Sequence, residues 1–406
     1  MKDVFAPFSL GGLTVRNRII RSATHEGMAR TDGTPTEDLL KTYRRLATGG
    51  AGAIITGYAG VLQGGRTFAN MRMFDSDDSV SDYRRMNDAL KPHGAPIILQ
   101  LAHGGSRCSA KVTGRDVIGP SRRGRNESGD VCRAATDAEI EEIIEAFVRA
   151  VARARAAGFD GVQIHAAHGY LLSEFISPVL NKRTDRWGGP LENRMRIVTE
   201  ILVRARKEVG PFPILAKISG EDEFRRGLTG DNAVAVARLL QQSSCDAIEV
   251  SCGYGEFFFT VRVPAVPVDA ILGLVPGYRE LSRFRKRLLR MAAPFMGAVH
   301  SPLFNYNVDR AALIRQHVDI PVIVVGGIRT LADIRTIVSE RNVDCVSMSR
   351  PFIIEPDIVA RFQRGQPGSR CINCGYCLMG VTSGALRCYH GKLPQRVIAP
   401  AAGRRG

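Results

Sequence analysis

Eight apolar runs of strand length recur along the chain, with helix-like stretches between them. They are Arg16–Ala23, Ala51–Ala59, Ala95–Ala102, Asp160–Ala167, Phe212–Ser219, Asp246–Gly253, Pro321–Ile328 and Asp344–Phe352. Their near-continuous Val, Ile and Leu content predicts strands covered on both faces, as in parallel sheets. The clearest helix spans Thr136–Gly158. Thr136 is placed to N-cap it, acids fill its first turns, Arg149, Arg153 and Arg155 follow, and Gly158 closes it. Further helices are expected over Pro190–Val209, Gly230–Gln242, Asp309–Gln316 and Thr330–Ser339.

Strand–helix alternation fits either an open doubly wound sheet or a closed (β/α)8 TIM barrel. The eight repeats favour the barrel. So do the polar residues His25, Gln100, His165, Lys217 and Arg350 at or near strand C-terminal ends, because a barrel gathers those ends into one ring. Residues 1–357 are assigned to the barrel and 358–406 to a Cys-rich C-terminal extension. After the sixth strand, Gly255–Val308 exceeds what one βα unit needs and reads as an insertion with a basic amphipathic helix near Tyr278–Met291. A substrate lid and a packed surface excursion are both open for it.

Charge changes this picture in one respect. The 406-residue chain carries a formal +16, which taken globally invites nucleic acid or polyanionic partners. Eight basic residues and no acid lie between Ile358 and Gly406, and seven basic against two acidic between Val261 and Ala292. The rest of the chain is near neutral, so solvated segments explain the excess better than a specific nucleic-acid site. No apolar run reaches the ~18 residues of a membrane span. The start, MKDVFAPFSLGG, has Asp3 and no apolar h-region, so a cytoplasmic setting is expected. An assembly of identical subunits is expected as well.

Cysteine is unevenly used. Five of the nine are scattered, and Cys371, Cys374, Cys377 and Cys388 form a C-x2-C-x2-C-x10-C block. Four thiolates at such spacing can hold a 4Fe-4S cluster or a structural zinc ion. An empty remnant is the remaining reading.

The segment His165–Arg194 opens with His165, His168 and Tyr170 just after a predicted strand. Two neutral imidazoles there can donate hydrogen bonds to one carbonyl oxygen, and a phenol beside them can deliver a proton. Zinc binding by the pair is the weaker reading, since no third ligand sits at a usual spacing.

This segment resembles the signature of the old yellow enzyme family, the FMN-dependent NAD(P)H:flavin oxidoreductases. NRIIRSATHEGMA, IITGYAGV, ILQLAHGG and SMSRPFI look like further family blocks in order. The resemblance implies that Ala23, Thr24, Gly57 and Tyr58 line the isoalloxazine, and that Gln100 bonds its pyrimidine edge. It implies Lys217 near flavin N1 and O2, and Gly326, Gly327 and Arg350 as the FMN phosphate clamp. His165 and His168 match the substrate-carbonyl pair and Tyr170 the proton donor. His25 departs from many members, which have Thr or Cys in that slot.

The Cys block is similar to that of 2,4-dienoyl-CoA reductase and trimethylamine dehydrogenase. There it relays electrons to appended nucleotide-binding domains, whereas no G-x-G-x-x-G fingerprint follows it here. The implied activity is ene-reduction of an α,β-unsaturated carbonyl or enoyl thioester, with NAD(P)H as reductant. Oxidative amine demethylation passing electrons to an external carrier is the alternative. A basic-tail nucleic-acid or membrane binding module is a third reading.

Overall fold

The computed structural model describes residues 2–126, 128–222, 226–254, 262–293, 302–381 and 384–390. Its centre is a closed parallel barrel of β1 (Ile19–Arg21), β2 (Ile54–Ile55), β3 (Ile97–Ala102), β4 (Gly161–Ala166), β5 (Ile214–Ser219), β6 (Ala247–Ser251), β7 (Val322–Val325) and β8 (Cys345–Met348). Each pairs in parallel with the next, and β8 closes on β1. All eight expected runs contain a barrel strand. The last ends earlier than its apolar run, because Arg350–Ile354 is already helical. Ala59–Gly60 adds a short extension against Leu101 and Ala102 of β3.

Period two along the strands sets what fills the barrel. Ile20, Ile55, Ile98, Leu215, Ala247, Ile323 and Cys345 form a closed apolar plug with Leu10 and Val15 of the N-terminal hairpin Phe8–Leu10/Leu13–Val15. Two residues further on, the same faces carry Ser22, Gln100, Lys217, Glu249 and Ser347. The barrel is therefore apolar at its base and polar at the C-terminal ends of its strands. A second, larger core lies between the strands and the surrounding helices.

The helices follow local rules. Asp137–Ala156 begins in a capping box between Thr136 and Glu139, an arrangement worth ~1 kcal/mol. Leu191–Val209, Gly230–Gln242, Val308–Arg315 and Leu331–Ser339 lie where expected. Helices Glu37–Thr48 and Val80–Leu90 supply the first two βα units. Ile358–Gln363, assigned by sequence to the extension, packs Ile358, Val359 and Phe362 into the main core and belongs structurally to the barrel.

Two excursions cap the barrel mouth. After β3, Ile118–Gly119, Arg123–Arg125 and Val131–Ala134 form a small three-stranded sheet. The described part of the insertion after β6 holds helices Val268–Leu274, Pro276–Arg279 and Arg283–Ala292 where one was expected. Residues 255–261 and 294–301 of that insertion lie outside the described residues. Its first helix shares a small apolar core with the C-terminal extension, built on Ala270, Tyr376, Met379 and Tyr389. No described helix is long and apolar enough to cross a membrane.

Candidate active site

Strand register builds the floor of the site. His165 of β4 stands beside Lys217 of β5, which stands beside Glu249 of β6. Gln163 of β4 likewise stands beside Gln100 of β3. The Glu249 carboxylate lies 3.1 Å from Lys217 Nζ and accepts bonds from Ser22 Oγ (2.6 Å), Ser347 Oγ (2.6 Å) and Gln163 Nε2 (2.7 Å). Burial alone would raise this carboxyl, but Lys217 and the three donors hold it below the usual range. Gln100 Nε2 donates to Gln163 Oε1 at 2.7 Å, and Lys217 Nζ donates to Ser22 Oγ at 3.0 Å. Six side chains from six strands or strand ends thus form one buried network.

Above this floor lies a cavity of about 1140 Å³. Single ligand sites run to ~300–1,000 Å³, so a cofactor and a second molecule fit together. Ala23, Thr24, Tyr58, Gln100, Lys217, Gly326, Gly327 and Arg350 all reach its wall, as do His165, His168 and Tyr170. Gly57 does not. Its N–H donates to Glu26 Oε1 at 3.0 Å, and a Cβ there would stand 2.1 Å from Glu26 Oε2. Glu26 is itself buried between Arg21 (2.8 Å) and Arg72 (3.6 Å) and accepts from Tyr43 at 2.8 Å, which fixes the loop after β1 from behind.

The two histidine rings are 5.1 Å apart at 73°, and Tyr170 lies 4.9 Å from His165. His168 adopts φ +64°, which turns the chain after β4, and its Nε2 meets Ser251 Oγ at 2.7 Å. Burial, reinforced by His168 and Lys217, pushes His165 well below its ordinary value. Burial with Lys217 and Arg107 brings His168 to about 3. Both imidazoles are therefore neutral near pH 7, each with one N–H to give. His165 Nδ1 is buried with no hydrogen-bond partner among the described residues. Burial raises Tyr170, which stays protonated and packs 5.3 Å from the Tyr58 ring, whose hydroxyl lies 3.2 Å from Thr67 Oγ1. His25 stacks between Tyr58 (5.1 Å) and Phe68 (5.2 Å), and burial lowers it to about 4.

The opposite wall comes from β7 and β8. Gly326 and Gly327 have φ of 146° and 74°, and a Cβ on Gly326 would sit 2.7 Å from Asn307 Nδ2 and the Tyr306 ring. Arg329 and Arg350 flank these glycines. Burial first, then Arg350, lowers Arg329 to about 10. Arg350 Nη1 donates to the carbonyls of Arg262 (3.2 Å) and Asn373 (3.3 Å). Close guanidiniums beside glycine N–H groups suit a phosphate dianion, and the orphaned donors and glycine cradle together fit FMN.

The insertion helix places Ile271 and Val275 on the cavity wall, and Tyr278 joins them, so this part is no remote excursion. Leu378, Met379 and Val381 of the extension line the wall too. Cys371, Cys374, Cys377 and Cys388 line one separate small cleft, with Arg350 common to both cavities. Among the described residues, no three His, Cys, Asp or Glu converge closely enough for a single metal ion.

Sequence reading missed Glu249, Gln163, Ser251 and Arg329. It also missed Glu174, fully buried under the small sheet, where Ser106 N donates to it at 3.1 Å and Arg123 stands at 3.3 Å. Burial pushes Glu174 up to about 7. The folded chain then holds a proton that the unfolded chain releases between about 4.5 and 7. Its contribution to stability is complete below about 4.5 and lost as pH rises through about 7. The melting temperature should fall across this window, and less steeply in Glu174→Gln. Identical profiles for the two proteins would refute the assignment.

A closed barrel with a large cavity of this donor set is fitted to hold a flavin-sized cofactor with a second molecule beside it. The chain belongs to the NADH:flavin oxidoreductase / NADH oxidase family, whose model matches residues 3–253 and 279–368. It is similar to a metal reductase of Desulforamulus reducens, with 32% identity over 377 residues, 92% of this chain and 51% of the relative. It thus spans about half the length of that relative. A 4,4'-dithiodibutanoate disulfide reductase of Rhodococcus erythropolis is 30% identical over 393 residues, 95% of this chain and 94% of the relative. An old yellow enzyme homologue from Zymomonas mobilis shares the fold, with TM-score 0.72, 24% identity, and coverage of 91% of this chain and 95% of that one.

Proposed function

We propose that the protein is an ene-reductase that takes electrons from NAD(P)H and adds two hydrogens across the C=C of an α,β-unsaturated carbonyl compound. FMN, when bound, supplies the hydride for the β-carbon. His165 and His168 donate N–H bonds to the carbonyl oxygen and so favour charge developing there. Tyr170 gives its proton to the α-carbon, and the Tyr58–Thr67 hydroxyls behind it carry a proton back. Ala23, Thr24, Tyr58, Gln100 and Lys217 would hold the flavin ring, with Gly326, Gly327 and Arg350 at its phosphate. Gly57 acts by anchoring the loop behind them.

The observation that carries this reading is the group His165–His168–Tyr170, two neutral donors and one protonated phenol on one cavity wall. Anaerobic reduction of cyclohex-2-enone by NADPH tests it. Formation of cyclohexanone supports the reading, and flavin reduction without enone turnover contradicts it.

Lys217 next to flavin N1 and O2 would favour the anionic reduced ring, but Glu249 offsets that charge. Glu249→Gln should therefore raise the midpoint potential of bound FMN by about 30 mV, ~1.4 kcal/mol for two electrons. A lower potential would show that Glu249 does not oppose reduction. Removing Lys217 should be far more damaging, since it strands a buried carboxylate at ~3–5 kcal/mol.

For the cysteine block, a 4Fe-4S cluster is the preferred occupant. All four thiols line one cleft, and a 4Fe-4S cluster would take one thiolate at each of its four irons. Arg350 stands in the wall of both cavities, which supports a second role in passing electrons to an external carrier.

A further inference from the structure

The barrel alone does not complete the wall assigned to the FMN phosphate. Arg329 follows β7 and Arg350 follows β8, and both line the large cavity. The segment that leads into the cysteine block is fastened beside each of them. On the β7 side, Ser369 N donates to Arg329 O at 2.8 Å, and Thr330 forms an antiparallel bridge with Gly368. On the β8 side, the buried Glu355 carboxylate follows helix Arg350–Ile354 and accepts from Ser369 Oγ (2.8 Å) and Arg370 N (2.8 Å).

Asn373 lies between Cys371 and Cys374, is 1% exposed, and lines neither the cavity nor the cysteine cleft. Its φ of +62° is one that Asn tolerates better than most residues. In this conformation it meets both guanidiniums. Arg329 Nη2 donates to its Oδ1, and Arg350 Nη1 donates to its backbone carbonyl at 3.3 Å. The pair has two further acceptors, Ile328 O at 2.6 Å for Arg329 and Arg262 O at 3.2 Å for Arg350. A guanidinium has only donors, so acceptors behind it fix where its remaining N–H groups point. Neutral acceptors do so without cancelling its charge, whereas a carboxylate in the same place would compete with a phosphate for it. Arg350 also acts against the charge on Arg329, and one residue bonded to both keeps them side by side.

We propose that Asn373 is a positioning residue of the FMN phosphate site, holding Arg329 and Arg350 toward the dianion through its Oδ1 and its carbonyl. The cysteine segment is then part of the flavin site, whatever its thiols hold. This rests on the assignment of the phosphate to Gly326, Gly327 and Arg350 above. Asn373 itself touches neither flavin nor substrate.

The test compares FMN with riboflavin, which lacks only the phosphate. The full chain is freed of flavin, and the Kd of each is read from quenching of flavin fluorescence. The unaltered protein should bind FMN about 100-fold more tightly than riboflavin. Asn373→Gly keeps the backbone carbonyl and tolerates the positive φ while removing the amide. It should weaken FMN about tenfold and leave riboflavin unchanged. Asn373→Asp should also weaken FMN alone, because its carboxylate holds Arg329 but cancels its charge. In an Arg329→Met background the further loss caused by Asn373→Gly should largely vanish, since no guanidinium is left for the amide to hold. A merely structural role would weaken both flavins in parallel, and that outcome overturns the proposal. An unchanged ratio in Asn373→Gly, or tighter FMN binding by Asn373→Asp, overturns it as well and leaves the phosphate assignment standing. Equal Kd values for the two flavins in the unaltered protein, or uptake of neither, overturn that assignment itself, and the proposal with it.

Discussion

Replacing Tyr170 by Phe is expected to slow reduction of the alkene by ~10²–10⁴-fold and to leave flavin reduction by NADPH close to its original rate. The two half-reactions separate cleanly in stopped-flow mixing, because only the second needs a proton on carbon. Three features single out this phenol: it lines the cavity, burial keeps it protonated, and it packs against His165. Phe keeps the ring that packs 4.9 Å from His165 and 5.3 Å from Tyr58, so the wall should hold its shape. Equal rates for both half-reactions in the variant would mean that the proton comes from elsewhere.

The second large effect is expected at the cysteine block. Cys377→Ser should lower bound iron from about four per chain to a small residue, with loss of the broad cluster absorbance. Cys377 is the buried member of the four, inside helix Tyr376–Val381, whose Tyr376 and Met379 pack against the insertion helix. Loss of the cluster should therefore loosen one side of the cavity as well, and raise KM for the alkene more than for NADPH. Iron content unchanged in the variant, or zinc in its place in the unaltered protein, would reject the cluster.

The parts of this architecture that were legible in the sequence share one property: their signal is local. The barrel strands are apolar runs, and helix Asp137–Ala156 announces itself through Thr136 and Glu139. The histidine–tyrosine group lies within six residues. What was hidden depends on register or on very short elements. Glu249 sits in an apolar run, and only the pairing of β5 with β6 places it beside Lys217, 32 positions away. Arg123 belongs to a three-residue strand, too short for any period to show. Gly57 was expected at the ring from the family resemblance, but the Glu26 carboxylate occupies the space in front of its Cα. The insertion was expected as one basic helix, and Ser282 breaks it by capping a new one at Arg283.

The charge excess also takes on a more specific sense. Within the cavity, Arg329 and Arg350 stand beside Gly326 and Gly327, which suits an anionic cofactor.

All of these readings require flavin in the barrel. The most direct test is the absorbance spectrum of the anaerobically purified protein, reconstituted with FMN if needed, during titration with NADPH. The account predicts flavin bands that bleach with one equivalent of NADPH and return when an enone is added. A colourless protein that takes up no FMN would contradict it.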